Sequence, residues 1–303
     1  MTTNTLHRNR RLFAPAALAM TMALPALAIA QDNSTKFGAY DPEGVFADLT
    51  TLQIEHIYVP LFDVDLASIE DADEYAKARN RELLITIEPF SWLPDQSIEP
   101  SVLRDNMMSG GYDADIQAAC EAIGALDSTV TIRFAHEMDE SARFPWSGWD
   151  PDEYIAFYRH FHDVCAPLAP NADWAWSPLG TEAMLSYYPG EEYADRVGVT
   201  LLSLQQYEQD KFGRARPVQE RLAANYAALE GLGKPIGIFE VGFRGDEAFV
   251  KEMANEVKRL PQQFKLSEIV YFNAVDPVTW PEPYGQPDWR VGAELFETLT
   301  PEE

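Results

Sequence analysis

Cysteine is nearly missing from this chain of 303 residues: Cys120 and Cys165 are the only two, with no Cys-x-x-Cys pair and no Cys/His cluster. That pattern excludes the common metal frameworks, and no metal or cofactor is expected. Both thiols fall on expected helices, and the sequence leaves open whether they pair. Basic residues are scarce too, 23 Lys and Arg against 49 Asp and Glu, for a formal charge of −26. Such a surface repels nucleic acid and anionic membranes, so neither is an expected partner. It also repels strongly anionic polymers unless a cleft is itself basic, and thereby favours a neutral one. Solubility in a salty habitat is the blander reading of the same acidity. Flexible linkers, repeats and low-complexity runs are absent, which argues for one domain. A Gly-rich phosphate turn after the first strand candidate is lacking as well, which argues against an open doubly wound sheet.

Long apolar runs are confined to the N-terminus. Arg8, Arg10 and Arg11 precede an uncharged stretch from Leu12 to Ala30 that closes on Ala28-Ile29-Ala30. This order of basic, apolar and small-x-small residues reads as a secretory signal peptide. Pro15 and Pro25 interrupt the run and no basic stop follows, which disfavours a membrane anchor. Arg10-Arg11 also fits a twin-arginine export signal loosely. The expectation is a signal peptide at 1–30 and one catalytic domain at 31–303. The mature protein would be a periplasmic or extracellular monomer without membrane insertion. Its 273 residues, the 303 of the chain less the leader, are close to the ~250 typical of a (β/α)8 barrel.

Beyond residue 35, short β-branched or aromatic runs alternate with longer amphipathic segments. The strand candidates are 36–40, 54–61, 83–90, 130–137, 172–178, 196–204, 235–241 and 268–273. Helix-like stretches follow at 43–52, 68–81, 113–126, 151–166, 218–231, 246–259 and 290–298, with a short one near 189–195. Asp150 before Pro151, and Asp246 before Glu247, are N-terminal caps. Several strands are nearly continuous apolar runs, as in a parallel sheet buried on both faces. The alternation predicts an α/β fold, a single (β/α)8 TIM barrel, whose site lies at the C-terminal strand ends.

Carboxylates, amides and aromatic rings gather at those ends. Strands four and seven face each other across a barrel mouth and end in Glu137 and Glu240. Cleavage of a glycoside with retention needs two such carboxyls about 5–5.5 Å apart, one protonating the leaving oxygen and one attacking the anomeric carbon. If both strands run regularly, Arg133, Ala135 and Glu137 share one face, and Ile236, Ile238 and Glu240 another. Arg133 then points into the barrel and keeps a neighbouring carboxylate ionised. His136 is placed to hydrogen-bond a sugar hydroxyl or the nucleophile, or else is a satisfied core histidine. Trp92, Trp146, Trp149 and Trp280 are candidate sugar platforms, each equally suited to ordinary packing.

Arg133-Phe134-Ala135-His136-Glu137-Met138-Asp139, with Phe144-Pro145-Trp146 downstream, resembles the acid/base motif of glycoside hydrolase family 26. Lys234 to Gly242 is similar to that family's nucleophile strand, and Phe37-Gly38-Ala39-Tyr40, Ile87-Glu88-Pro89 and Trp174 to Pro178 with Tyr188-Pro189-Gly190 also match. The likeness spans roughly residues 36–280. It implies a clan-A barrel and double displacement on a β-linked polysaccharide, without metal or cofactor. Glu137 would be the acid/base and Glu240 the nucleophile, and Glu88 would have a positioning role. The implied substrate is first β-1,4-mannan, with β-1,3-1,4-glucan or β-1,3-xylan as alternatives. A catalytically silent carbohydrate-binding barrel associated with polysaccharide export is the competing class. The chain departs from the pattern at three places. Asp139 replaces an Asn. The family's strand-six Tyr has only Tyr207, displaced along the chain, as its counterpart, with Gln205 and Gln206 as competitors. The strand-eight Trp is replaced by Phe272-Asn273, with Trp280 as a later substitute.

Overall fold

The computed structural model describes Met1 and residues 34–93, 96–140 and 143–299. The expected signal peptide lies outside the described residues, save Met1. Among those described, no helix is long and apolar enough to cross a membrane.

Eight parallel strands close into a barrel in chain order. They are β1 (Lys36–Tyr40), β2 (Ile54–Pro60), β3 (Glu82–Glu88), β4 (Val130–Phe134), β5 (Ala172–Trp176), β6 (Arg196–Leu204), β7 (Ile236–Arg244) and β8 (Leu266–Phe272). The ring is completed by β8 pairing with β1, Lys36 opposite Glu268 through Tyr40 opposite Phe272. The helices are α1 (Leu66–Lys77), α2 (Pro100–Met108), α3 (Asp113–Gly124), α4 (Pro151–Cys165), α5 (Gln205–Phe212), α6 (Val218–Glu230), α7 (Glu247–Gln263) and α8 (Ala293–Glu297). The main core lies between strands and helices. Inside the barrel, Ile54, Leu84, Ala175, Phe239 and Val270 form a separate apolar layer.

The expected caps are made: Asp150 accepts from the Asp152 amide at 3.0 Å and Asp246 from the Phe249 amide at 2.9 Å. Cys120 on α3 and Cys165 on α4 form a disulfide with Cα atoms 5.3 Å apart. Closing a loop of that length contributes about 4 kcal/mol in the chain-entropy model.

Three elements differ from the expectation. Residues 43–52 are turns rather than a helix, because the Asp41 carboxylate captures the Phe46 amide at 2.6 Å and Gly44 takes φ +69°. Helix α2 occupies a stretch read as loop. Helix α5 starts directly after β6 and lacks the apolar stripe that would betray it; it ends on Gly213 at φ +70°, a left-handed C-terminal cap.

Candidate functional site

Strand β4 stops at Phe134, three residues short of the expected end. Ala135 and Glu137 adopt φ +44° and +54°, values that cost free energy for residues with a Cβ. The surrounding structure fixes them. Tyr154 Oη donates to Ala135 O at 3.0 Å, Trp146 Nε1 to His136 O at 2.6 Å and Ser147 Oγ to Glu137 O at 3.0 Å. The Glu137 amide donates to Ser177 O at 2.9 Å. Trp146, expected as a sugar platform, is therefore a fully buried strut stacked on Phe144 at 4.7 Å. Asp139 has a similar task. Its two oxygens accept the amides of Leu179, Gly180 and Thr181 at 2.6, 3.0 and 2.7 Å, which an Asn, acceptor at one oxygen only, cannot do.

Strand β7 carries an irregularity opposite β6: Val199 pairs with Ile238 and the next residue, Thr200, with Glu240. Phe239 is the extra residue of this bulge. Gly198 leaves room for its ring, since a Cβ there would lie 2.5 Å from Phe239. Ile236 and Ile238 consequently pack outward with the helices, while Phe239 turns into the barrel. The expected common face of Ile236, Ile238 and Glu240 is thus broken at Phe239, and Glu240 still reaches the mouth.

Glu240 is met there from below. Arg133 Nη1 donates to Glu240 Oε1 at 2.7 Å and to Thr86 Oγ1 at 3.3 Å. His56 Nε2 contacts the same Thr86 oxygen at 2.7 Å. His136 Nε2 lies 3.8 Å from Glu240 Oε1. Burial and the Arg133 charge hold both His56 and His136 well below the usual imidazole range, so both are neutral. Burial pushes the Glu240 carboxyl up, the Arg133 charge opposes that, and the Glu137 charge reinforces it.

His136, Glu137 and Glu240 each bring one ligand atom within 4.8 Å of the others. Two guanidiniums already face these carboxylates, Arg133 at Glu240 and Arg143 at Glu137, so a cation would meet like charge on both sides. Sequence reasoning missed Arg143. It ion-pairs with Glu137 Oε2, and its Nη2 is 3.9 Å from Asp276. Only a loop position signals it, with no periodicity to mark it.

An open cleft of about 580 Å³ lies above Glu240. Tyr40, Tyr58, Trp92, Phe144 and Phe272 give it an aromatic lining, together with Glu88 and His136. Glu88 Oε2 accepts from Trp92 Nε1 at 2.8 Å, and burial raises its pKa to about 7. Trp92 is 49 % exposed and free to meet a ligand. Glu137 has no exposed surface: Arg143, which borders the cleft, covers it. Tyr207 and Trp280 stand elsewhere, in an adjoining cavity. Tyr207 belongs to α5 rather than to the end of β6, because the helix begins at Gln205.

No family model matches the chain. Over 248 residues, 79 % of this chain and 46 % of the relative, it is 25 % identical to a β-1,3-xylanase, TXYA, of a Vibrio species. Over 166 residues, 52 % of this chain and 34 % of the relative, it is 26 % identical to a β-1,3-xylanase of an Alcaligenes species. The chain thus spans less than half the length of either relative. In fold it is similar to a modular endo-β-1,4-mannanase of glycoside hydrolase family 26 from Cellulomonas fimi. The TM-score is 0.65 at 15 % identity, covering 88 % of this chain and 69 % of that one. The chain is a homologue of glycoside hydrolases, and its likeness to family 26 extends from the motifs to the fold.

Proposed function

We propose that this chain is an exported, retaining glycoside hydrolase that cleaves a β-linked neutral polysaccharide internally, with Glu137 as acid/base and Glu240 as nucleophile. The observation that carries the reading is the pair of carboxylates after β4 and on β7, with oxygens within 4.8 Å of each other. Inverting enzymes separate the two by about 6.5–9.5 Å to admit a water. Glu240 Oε attacks the anomeric carbon as the bond to the leaving oxygen breaks, and Glu137 gives that oxygen its proton. Water, deprotonated by Glu137, then opens the glycosyl ester and releases Glu240. Arg133 keeps Glu240 ionised. Arg143 must leave Glu137 before a glycosidic oxygen can reach it, and Asp276 stands ready to receive the guanidinium.

Export is supported by the leader pattern and by the Cys120–Cys165 disulfide, which suits an oxidising compartment. Both curated relatives are β-1,3-xylanases, which puts β-1,3-xylan ahead of β-1,4-mannan as the first polymer to try. Reducing-end release from β-1,3-xylan, β-1,4-mannan and β-1,3-1,4-glucan, with NMR of the first-formed anomer, tests the reading. A β-anomer is expected; an α-anomer would mean inversion. The cover over Glu137 favours the other reading, a silent binding barrel, which tight binding without release from any polymer would establish.

A further inference from the structure

Tyr207 and Trp280 line a second cavity of about 660 Å³. It adjoins the catalytic cleft, because Arg143, Leu202 and Val278 border both. Its aromatic wall is Tyr207 set edge-on to Trp280, with ring centroids 5.3 Å apart. Asp276 anchors the Trp280 indole N–H at 2.8 Å. The remaining lining from α5, α6 and the turn between them carries charge. Most of that charge cancels in pairs. Arg216 grips Glu208 at 2.7 and 2.9 Å, and Arg214 grips Glu220 at 2.7 and 2.8 Å.

Arg221 has no such partner. Its Nη1 donates to Ser203 Oγ at 2.5 Å, and it forms no ion pair among the described residues. Burial pushes its guanidinium down to about 10 against the pull of the Glu208 charge, and Glu208 is itself ion-paired with Arg216. The guanidinium is half-buried on the cavity wall and has no ion-pair partner of its own, so an entering anion can take that place. The geometry of its fork suits a planar or tetrahedral oxyanion. The chain around it has a formal charge of −26 and Glu140 borders the same cavity, so an anion would be held at Arg221 itself and not by a general positive field.

We infer that the second cavity is a subsite for an anionic sugar unit, whose carboxylate or sulfate ester pairs with Arg221 while Tyr207 and Trp280 pack against the ring. The inference deepens the proposed function and rests on it, since the neutral polymer would enter through the adjoining cleft. A densely charged polymer is repelled by the acidic surface; one acidic substituent on a neutral backbone is not. The substrate class is then a β-glycan with sparse uronic acid or sulfated branches.

Calorimetric titration of the whole protein with methyl β-glucuronide, its neutral methyl ester and a sulfated methyl glycoside tests this directly. An anion should bind about tenfold more tightly than the ester, and the tighter of the two anions identifies the substituent. Arg221→Gln should erase the preference while the ester binds as before. Should that variant fail to fold, the unaltered protein gives the same answer: added NaCl should shrink the preference for the anion and leave the ester unaffected. Equal binding of anions and ester, or a preference that survives Arg221→Gln or high salt, overturns the inference. The Glu240→Ala variant should keep the preference. A protein that prefers the anion yet hydrolyses nothing would therefore refute the proposed function alone.

Discussion

Glu240 is held from inside the barrel, and Glu137 from outside it. Glu240 sits within strand β7, and its partner Arg133, backed by Thr86 and then His56, belongs to strands across the same barrel. Glu137 follows the end of its strand, in a left-handed conformation, and its backbone is pinned by Trp146, Ser147 and Tyr154 from the next loop and helix. Its carboxylate partner Arg143 comes from that loop as well. Rigid support suits a nucleophile whose position relative to the anomeric carbon must be fixed. Loop support suits a group that must be uncovered, give up a proton and take one back.

The sharpest way to break that contrast is to remove each carboxylate. Glu240→Ala should lower activity on any responsive polymer by on the order of 10⁴-fold or more, and added azide should restore turnover as the inverted glycosyl azide. Retention of activity would remove Glu240 from the chemistry. Glu137→Ala should lower activity by about 10²–10⁴-fold on polymers and far less on aryl glycosides with acidic phenols, which leave without protonation. A loss independent of the leaving group would show that Glu137 is not the acid.

The same contrast explains what could be read in the sequence. The eight strand candidates and the two glutamates came from local patterns: apolar runs, and carboxylates where such runs end. Arg133 was legible because two-residue alternation holds within β4. Beyond Phe134 the alternation fails, and Glu137 reaches the mouth through strained turns rather than strand geometry. On β7 the inward aim of Glu240 depends on the bulge at Phe239, which one extra residue creates and no periodicity announces. For Trp146 the sequence leaves platform and strut equally open, since an aromatic after a catalytic motif serves as either; its hydrogen bond to His136 O makes it a strut. The place of Tyr207 is not legible in the sequence because its helix α5, polar on all sides, carries no stripe.

Arg133→Met probes the interior support alone. Breaking a buried ion pair leaves a charge uncompensated, and a loss of about 3–5 kcal/mol in stability is expected, with roughly a 10²-fold fall in kcat/KM. Arg133 opposes the rise of the Glu240 carboxyl, so without it Glu240 stays protonated to higher pH. The acid limb of the activity profile should therefore move to higher pH. An unmoved limb would show that Arg133 supports the fold and not the nucleophile.

The smallest effect concerns Glu88, which faces the same cleft as Glu240 and shares its enclosure. Burial raises the Glu88 pKa from 4.5 to about 7, with the Glu240 charge adding to the rise and the Trp92 hydrogen bond opposing it. Between those two pH values the folded chain holds a proton that the unfolded chain releases. Stability is accordingly lost as pH rises through this window, by at most about 3 kcal/mol, and the loss is complete above pH 7. Glu88→Gln keeps an oxygen for Trp92 and carries no charge. Urea unfolding at pH 5 and pH 8 should show a smaller decline in the variant than in the unaltered protein, with the gain confined to the alkaline measurement. Equal declines would mean that Glu88 is already ionised at pH 5 in the folded chain, stabilised by a polar cleft rather than destabilised by a closed one. Glu88 would then belong with the exposed, loop-held side of the site instead of the barrel interior.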